Sequence, residues 1–258
     1  MGCINAKRMV RTIQIKEEII EELPQELDKV HIFYEENKAN LPTRVKKLYT
    51  LYISQKVFET TEVDLKFLNL AGKFFQPIGL ILPYFTHVTI LNLWKTKLGD
   101  QGCIAVCMIL GKFIQLTSLS LADNKITIEG ITVFASKLPE LSNLEILELH
   151  VNPINDDGVT LISNKLFFLP NLKVLHLDEC GMTSLGLEKL SNDIQKIVKL
   201  ERISLNYNKY DEASVKLLQN SLKSLKALKR VSLKQTEVSE EIQEILVKDF
   251  PQVLFAFA

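Results

Sequence analysis

The 258-residue sequence predicts an α/β solenoid: a curved stack of strand and helix units, with one parallel sheet on the concave face and helices on the convex face. Three observations predict it. A nine-residue apolar pattern starts at Val88, Leu116, Leu144, Leu172, Leu200 and Leu228, each start 28 residues after the last. Within a unit, apolar residues first alternate at two-residue steps and then recur at three- and four-residue steps, which mark a strand followed by an amphipathic helix. The composition is rich in leucine, with 41 of 258 residues, and poor in Gly plus Pro, with 18, so collagen-like and low-complexity disordered classes are excluded.

Taken in order, the chain opens Met-Gly2-Cys3-Ile-Asn-Ala6-Lys7-Arg8, followed by Arg11. This resembles the dual-acylation signals of membrane-tethered signalling proteins. The resemblance implies myristate on Gly2 and palmitate on Cys3, with the nearby cations as a polybasic aid. Ala6 departs from the usual Ser or Thr, and an ordinary tail is the alternative reading. From Ile13 to Leu23, apolar residues at 13, 15, 19, 20 and 23 with clustered acids predict a capping helix, so residues 1–22 form a tail and cap.

Residues 23–87 are expected to form shorter, irregular repeats. Leu27-Asp-Lys-Val30-His-Ile32, Leu48-Tyr-Thr-Leu51-Tyr-Ile53 and Leu65-Lys-Phe-Leu68-Asn-Leu70 keep the strand pattern, with Leu65 starting 23 residues before Val88 and 17 after Leu48. The preceding Leu23-Pro24 and Leu41-Pro42 are similar to the short repeats of some bacterial leucine-rich proteins. Residues 88–250 hold the regular units. After each strand comes one apolar position (Leu98, Ile126, Ile154, Met182, Tyr210, Val238), then a helix-capping type (Thr127, Asn155, Thr183, Asp211, Ser239). Gly102, Gly130, Gly158 and Gly186 follow, and stripes such as Ile131, Phe134, Leu138 and Leu141 complete the helices. Residues 251–258 repeat a strand start without a helix and predict a C-terminal capping strand. These units resemble the ribonuclease-inhibitor-like class of leucine-rich repeats, which implies a horseshoe fold that binds proteins.

Neither half of a unit buries its own apolar face, so stacked units share one core and leave the outward strand positions to solvent. The Asn, Cys or Thr at the ninth position turns inward to satisfy unpaired backbone groups. Set in register, the outward residues form columns. One runs Ala71, Trp94, Ala122, His150, Asp178, Asn206, Lys234; the next Asn69, Asn92, Ser120, Glu148, His176, Ser204, Ser232; the third Phe67, Ile90, Ser118, Ile146, Val174, Arg202, Arg230. The predicted partner-binding residues are Trp94, Ile146, Glu148, His150, His176, Asp178, Glu179, Arg202, Tyr207, Arg230 and Lys234. Aromatic and arginine side chains on such a face are what binding hot spots are made of.

Glu148, His150, His176 and Asp178 form a tile compatible with a divalent metal or acid/base chemistry, but cross-strand salt bridging explains it as well, and no metal is expected. Cys103 and Cys107 lie four apart on a helix without further ligands and read as small apolar residues. Asp156-Asp157 lacks a calcium-loop pattern, and no phosphate loop, nucleophile elbow or zinc-spaced histidine pair is present. No catalytic residue or cofactor is therefore expected.

Thirty-one basic and thirty-one acidic residues balance, so no global field draws nucleic acid. Four cysteines, unevenly spaced, make no disulfide framework, and no apolar run reaches the roughly 18 residues of a membrane span. The expectation is a monomeric, cytoplasmic protein-binding module, held at a membrane inner face if Gly2 and Cys3 are acylated. In an intracellular bacterium it would suit an effector acting in host cytosol. Two alternatives remain: a GTPase-activating regulator of the Ran GTPase-activating type, which shares the repeat, and a ubiquitin-ligase substrate receptor with an F-box-like start at Leu23-Pro24-Gln-Glu-Leu27.

Overall fold

Every strand among the described residues is three residues long, enough to send one leucine or its equivalent inward between two outward side chains. The structure is a computed structural model and describes residues 24–257, in two units that divide after Ser54.

The second unit carries one open sheet of eight parallel strands in chain order: β1 (Glu62–Asp64), β2 (Ile90–Asn92), β3 (Ser118–Ser120), β4 (Ile146–Glu148), β5 (Val174–His176), β6 (Arg202–Ser204), β7 (Arg230–Ser232) and β8 (Leu254–Ala256). The helices α3 (Gln76–Ile81), α4 (Gly99–Leu110), α5 (Ile128–Lys137), α6 (Asn155–Ser163), α7 (Ser184–Ile194), α8 (Glu212–Leu222) and α9 (Glu240–Asp249) alternate with them. Consecutive helices from α4 to α8 pack on one another. Leu91, Leu119, Leu147 and Leu175 stack in register across the sheet. They are fully buried with Leu93, Leu121, Leu149 and Leu177, and the helix stripe of Ile131, Phe134 and Leu138 is buried too.

The regular repeat begins one unit earlier than expected. Val63 pairs with Leu91, 28 residues on, so the first strand is Glu62–Asp64 and not the segment from Leu65 to Leu70. Leu65 and Leu70 occupy the buried positions of Leu93 and Leu98. The backbone confirms this register: Phe67, Lys95, Asp123, Val151, Glu179, Tyr207 and Gln235 all have positive φ, between 49° and 65°. At each of these places the chain leaves the sheet through a left-handed residue. The column heads Ala71, Asn69 and Phe67 are therefore replaced by Lys66, Asp64 and Glu62.

In the first unit the expected short strands are absent. α1 (Pro24–Asn37) and α2 (Thr43–Ile53) take in both Leu27–Ile32 and Leu48–Ile53. In α2, Val45, Leu48, Tyr49 and Tyr52 are buried at three- and four-residue steps, a helical stripe that competes with the two-residue alternation. The prolines mark helix starts, where no backbone N–H is needed. Phe33 and Tyr34 stack on Tyr49, with ring centroids 6.2 and 5.1 Å apart. The capping helix expected at 13–23 lies outside the described residues.

Successive repeats are joined by buried amides. Asn152 Oδ1 accepts the N–H groups of Asn124 and Ile126, one repeat back, at 3.0 and 2.9 Å. Its Nδ2 donates to the carbonyls of Leu121 and Leu149 at 3.0 and 2.8 Å. Asn124 does the same toward Thr96, Leu98 and Leu93, and Asn208 toward Cys180, Met182 and Leu177. Cys180 reaches Leu149 O only through a weak thiol contact, Thr236 donates within its own turn, and the Thr96 hydroxyl lies within hydrogen-bond distance of both Leu93 O in its own turn and Asn124 Oδ1 in the next repeat.

Helix starts are shared between repeats as well. Asp100 accepts from Thr127 N–H, Thr127 Oγ1–H and Gly130 N–H at 2.8, 2.8 and 3.0 Å. Asp156 takes the equivalent groups of Thr183 and Gly186. A Cβ at Gly130 would fall 2.7 Å from Asp100 Oδ1, which explains glycine there. Thr127, Thr183 and Asp211 also accept from their own helices, as expected of capping residues. Asn155 and Ser239 do not. Asn155 is the first residue of α6 at φ 54°, and the Ser239 hydroxyl donates to Glu212. The preceding repeat offers Ile128 at the place that Asp100 and Asp156 hold for Thr127 and Thr183.

Asn152→Ala leaves the Asn124 and Ile126 N–H groups buried without partners, while the Leu121 carbonyl keeps Asn124 Nδ2 and the Leu149 carbonyl keeps only the weak Cys180 thiol. At about 1–3 kcal/mol for each of the two unsatisfied N–H groups, it should lower stability by about 2 kcal/mol or more. Urea unfolding followed by circular dichroism should show a lower midpoint, whereas exposed Asn220→Ala should leave it unchanged.

Candidate functional site

The alternation that buries the leucines turns three side chains per repeat out of the sheet, and the left-handed residue after them adds a fourth. Hydrogen bonds from Lys95 to Ala122, Asp123 to His150, Val151 to Asp178, Glu179 to Asn206 and Tyr207 to Lys234 carry the register past the strand ends. The predicted sheet-face residues from Trp94 to Lys234 therefore share one face.

At its N-terminal end the face is apolar. Trp94 is 36% exposed, Ile90 37% and Phe67 55%, and the Phe67 and Trp94 rings lie 4.9 Å apart. Phe67, expected in the column of Ile90, has a left-handed backbone instead, and its ring lies on Trp94. The pairs Lys66–Asp64 (3.2 Å) and Lys95–Asp123 (3.3 Å) flank this aromatic patch.

The middle is polar and only partly coupled. Glu148 and His176 are in register, with Glu148 Oε1 3.5 Å from His176 Nδ1, and the His150 and His176 rings meet edge-on at 6.0 Å. Asp178 is drawn elsewhere: its Oδ1 accepts Ser204 Oγ–H at 2.6 Å and Asn206 N–H at 2.7 Å. Asn206 repeats the device with Ser232 Oγ–H and Lys234 N–H, both at 2.7 Å. The four residues of the tile thus do not converge. Among the described residues, no group of three or more His, Cys, Asp or Glu side chains is placed to hold a metal ion. Ser120 Oγ and His150 Nδ1 are buried without a hydrogen-bond partner.

Burial holds the His176 pKa below the usual imidazole value of 6.5. Glu148 and Asp178 oppose that shift, and His150 and Arg202 add to it. The C-terminal end is basic, with exposed Arg202 and Arg230 in register and Lys234 beside them. Glu179 is exposed on the outer turn, and Tyr207, one repeat later, is 60% exposed. Ile146 is half-buried on β4.

The described cysteines belong to the core. Cys103, Cys107 and Cys180 are buried and free. Hydrogen bonding to Cys107 and burial push the Cys103 thiol up, and burial pushes Cys180 up to about 12, so both are protonated at neutral pH. Gly2 and Cys3 lie outside the described residues.

Residues 86–107, 115–135 and 168–191 match the family model described as Leucine Rich repeat. With the parallel strands alternating with helices, the chain carries leucine-rich repeats in a solenoid fold. An internalin of Listeria monocytogenes strain 4b F2365 is similar in structure, with a TM-score of 0.48 and 18% sequence identity. The likeness covers 79% of this chain and 56% of the internalin, so the chain spans little more than half the internalin's length. No curated protein sequence matches the chain. Among the described residues no helix is long and apolar enough to cross a membrane.

Because His176 titrates lower in the folded chain than in the unfolded one, its neutral form supports folding fully above pH 6.5. That contribution is lost as pH falls below 6.5 toward the folded-state value. Chemical denaturation across this window should show stability dropping more steeply for the wild type than for His176→Gln. Parallel curves would remove the assignment.

Proposed function

We propose that the chain is a protein-recognition module that binds one partner through the outward face of its sheet. The observation that carries this reading is the pair Phe67 and Trp94, exposed, apolar and in ring contact at 4.9 Å. The sheet's stability rests on the inward leucines and the buried amides, and an aromatic pair turned to water adds hydration cost without a core to fill. Such pairs serve as anchors when a partner desolvates them.

The other outward residues support a single, chemically irregular partner. The face passes from the aromatic pair through Glu148, His150 and His176 to Arg202, Arg230 and Lys234, so each repeat offers a different chemistry. A repetitive polymer would meet no repeating complement here. Glu179 and Tyr207, on the outer turns, border the same surface.

The reading extends to location. Acylation of Gly2 and Cys3, with Lys7, Arg8 and Arg11 alongside, would hold the module at the cytoplasmic surface of a membrane and bring its partner there.

Trp94→Ala combined with Phe67→Ala should abolish capture of the cellular partner in affinity purification while leaving the melting curve near wild type. Undiminished capture would move the site off the sheet face. Separately, Gly2→Ala should shift the protein from the membrane to the soluble fraction of eukaryotic cells. A wild type already soluble would remove the tether and leave the recognition reading intact.

A further inference from the structure

On β6 and β7, Arg202 and Arg230 stand side by side, and Lys234 follows Arg230 on the same repeat. With His176, Ser204, Asn206 and Ser232 they line a cavity of about 320 Å³. No carboxylate lines it. Of the acids around it, Asp178 is engaged by the Ser204 hydroxyl and the Asn206 N–H, Glu148 lies against His176, and Glu201 is paired with Lys229. Neither arginine, nor Lys234, has an ion-pair partner among the described residues. Two like charges on strands about 4.8 Å apart repel one another, and an anion seated between them relieves that repulsion. The hydroxyls of Ser204 and Ser232 already donate, to Asp178 and Asn206, so the charged donors left for a ligand are Arg202, Arg230 and Lys234.

We infer that this cavity receives the carboxylates of an acidic segment of the partner protein. The inference rests on the sheet-face reading above and narrows the partner's chemistry. Each guanidinium presents a planar fork that matches one carboxylate. Alternate side chains of an extended peptide are about 6.6 Å apart, a spacing that two long arginine side chains on neighbouring strands can meet. The cationic cluster is confined to two strands. β8 offers Leu254 and Ala256 on one side, and β5 offers His176 beside Glu148 on the other. A nucleic-acid backbone needs a longer positive track than this.

The test is titration of a fluorescein-labelled Glu-Ser repeat peptide into the full chain, read by anisotropy, beside peptides with Gln or phosphoserine in place of Glu. The Glu peptide should bind and the Gln peptide should not. R202Q and R230Q should each weaken binding by about tenfold, and added salt should weaken it further. Both arginines are exposed, so melting curves should stay near wild type and show that the variants fold. Equal binding of the Gln peptide, no change in either arginine variant, or equal loss in the helix-side variant K223Q/K226Q would overturn the inference. Binding of the phosphoserine peptide alone would overturn it too. If the natural partner is lost with Trp94→Ala and Phe67→Ala but the Glu peptide never binds, this inference fails while the sheet-face reading stands.

Discussion

The buried asparagine amide between repeats is the interaction on which the rest of this structure depends. After three extended residues the chain must leave the sheet, and it does so through a left-handed residue that strands backbone groups inside the core. One amide resolves this for two repeats at once. Asn152 supplies acceptors to Asn124 and Ile126 and donors to Leu121 and Leu149. Without it, two N–H groups would be buried unpaired, at a cost of about 2–6 kcal/mol, a large fraction of the net stability of a small domain. Where the ladder lacks an asparagine the substitutes reach less far: Thr236 closes its own turn, Thr96 meets its own turn and Asn124, and Cys180 contributes a soft contact to the neighbouring repeat.

Because amides and leucines hold the stack from inside, most outward strand positions are released from structural duty. That freedom is what lets the face differ in every repeat. It is not complete, since Asp178 and Asn206 each accept a hydroxyl and an N–H from the next repeat. These two residues order the surface, while Trp94, Phe67, Arg202 and Arg230 remain free to meet a partner. The helix edge shows the same economy: Asp100 and Asp156 serve the helix starts of the repeats that follow them.

Much of this was legible beforehand. From β2 to β7 the 28-residue spacing sets the register of each strand, because each buried leucine or its equivalent recurs at the same interval; β8 follows after 24 residues, and Ser120, Ala122 and Val174 among the outward positions are buried. Upstream the same rule misled. Leu65, Leu68 and Leu70 satisfy the nine-residue pattern as well as Val63 and Leu65 do, and choosing the former moved the register by five residues. An odd shift exchanges inward for outward positions, so Phe67 was placed in the wrong column. In α2 the buried stripe of Val45, Leu48, Tyr49 and Tyr52 and the strand-like Leu48, Leu51 and Ile53 share the same eleven residues. Two periodicities coexist there, and packing decides between them.

Sequence alone determined the repeat length, the order of strand and helix, the inward leucines and the asparagine position, since each follows from local periodicity repeated without interruption. Tertiary structure decided which outward groups are spoken for. Asp178 belongs with Ser204 and Asn206 rather than with the histidines, Phe67 belongs with Trp94, and Asp100 belongs to the next helix. Those partners lie a full repeat away along the chain, and only the backbone turn at the end of each strand sets the direction in which each side chain reaches.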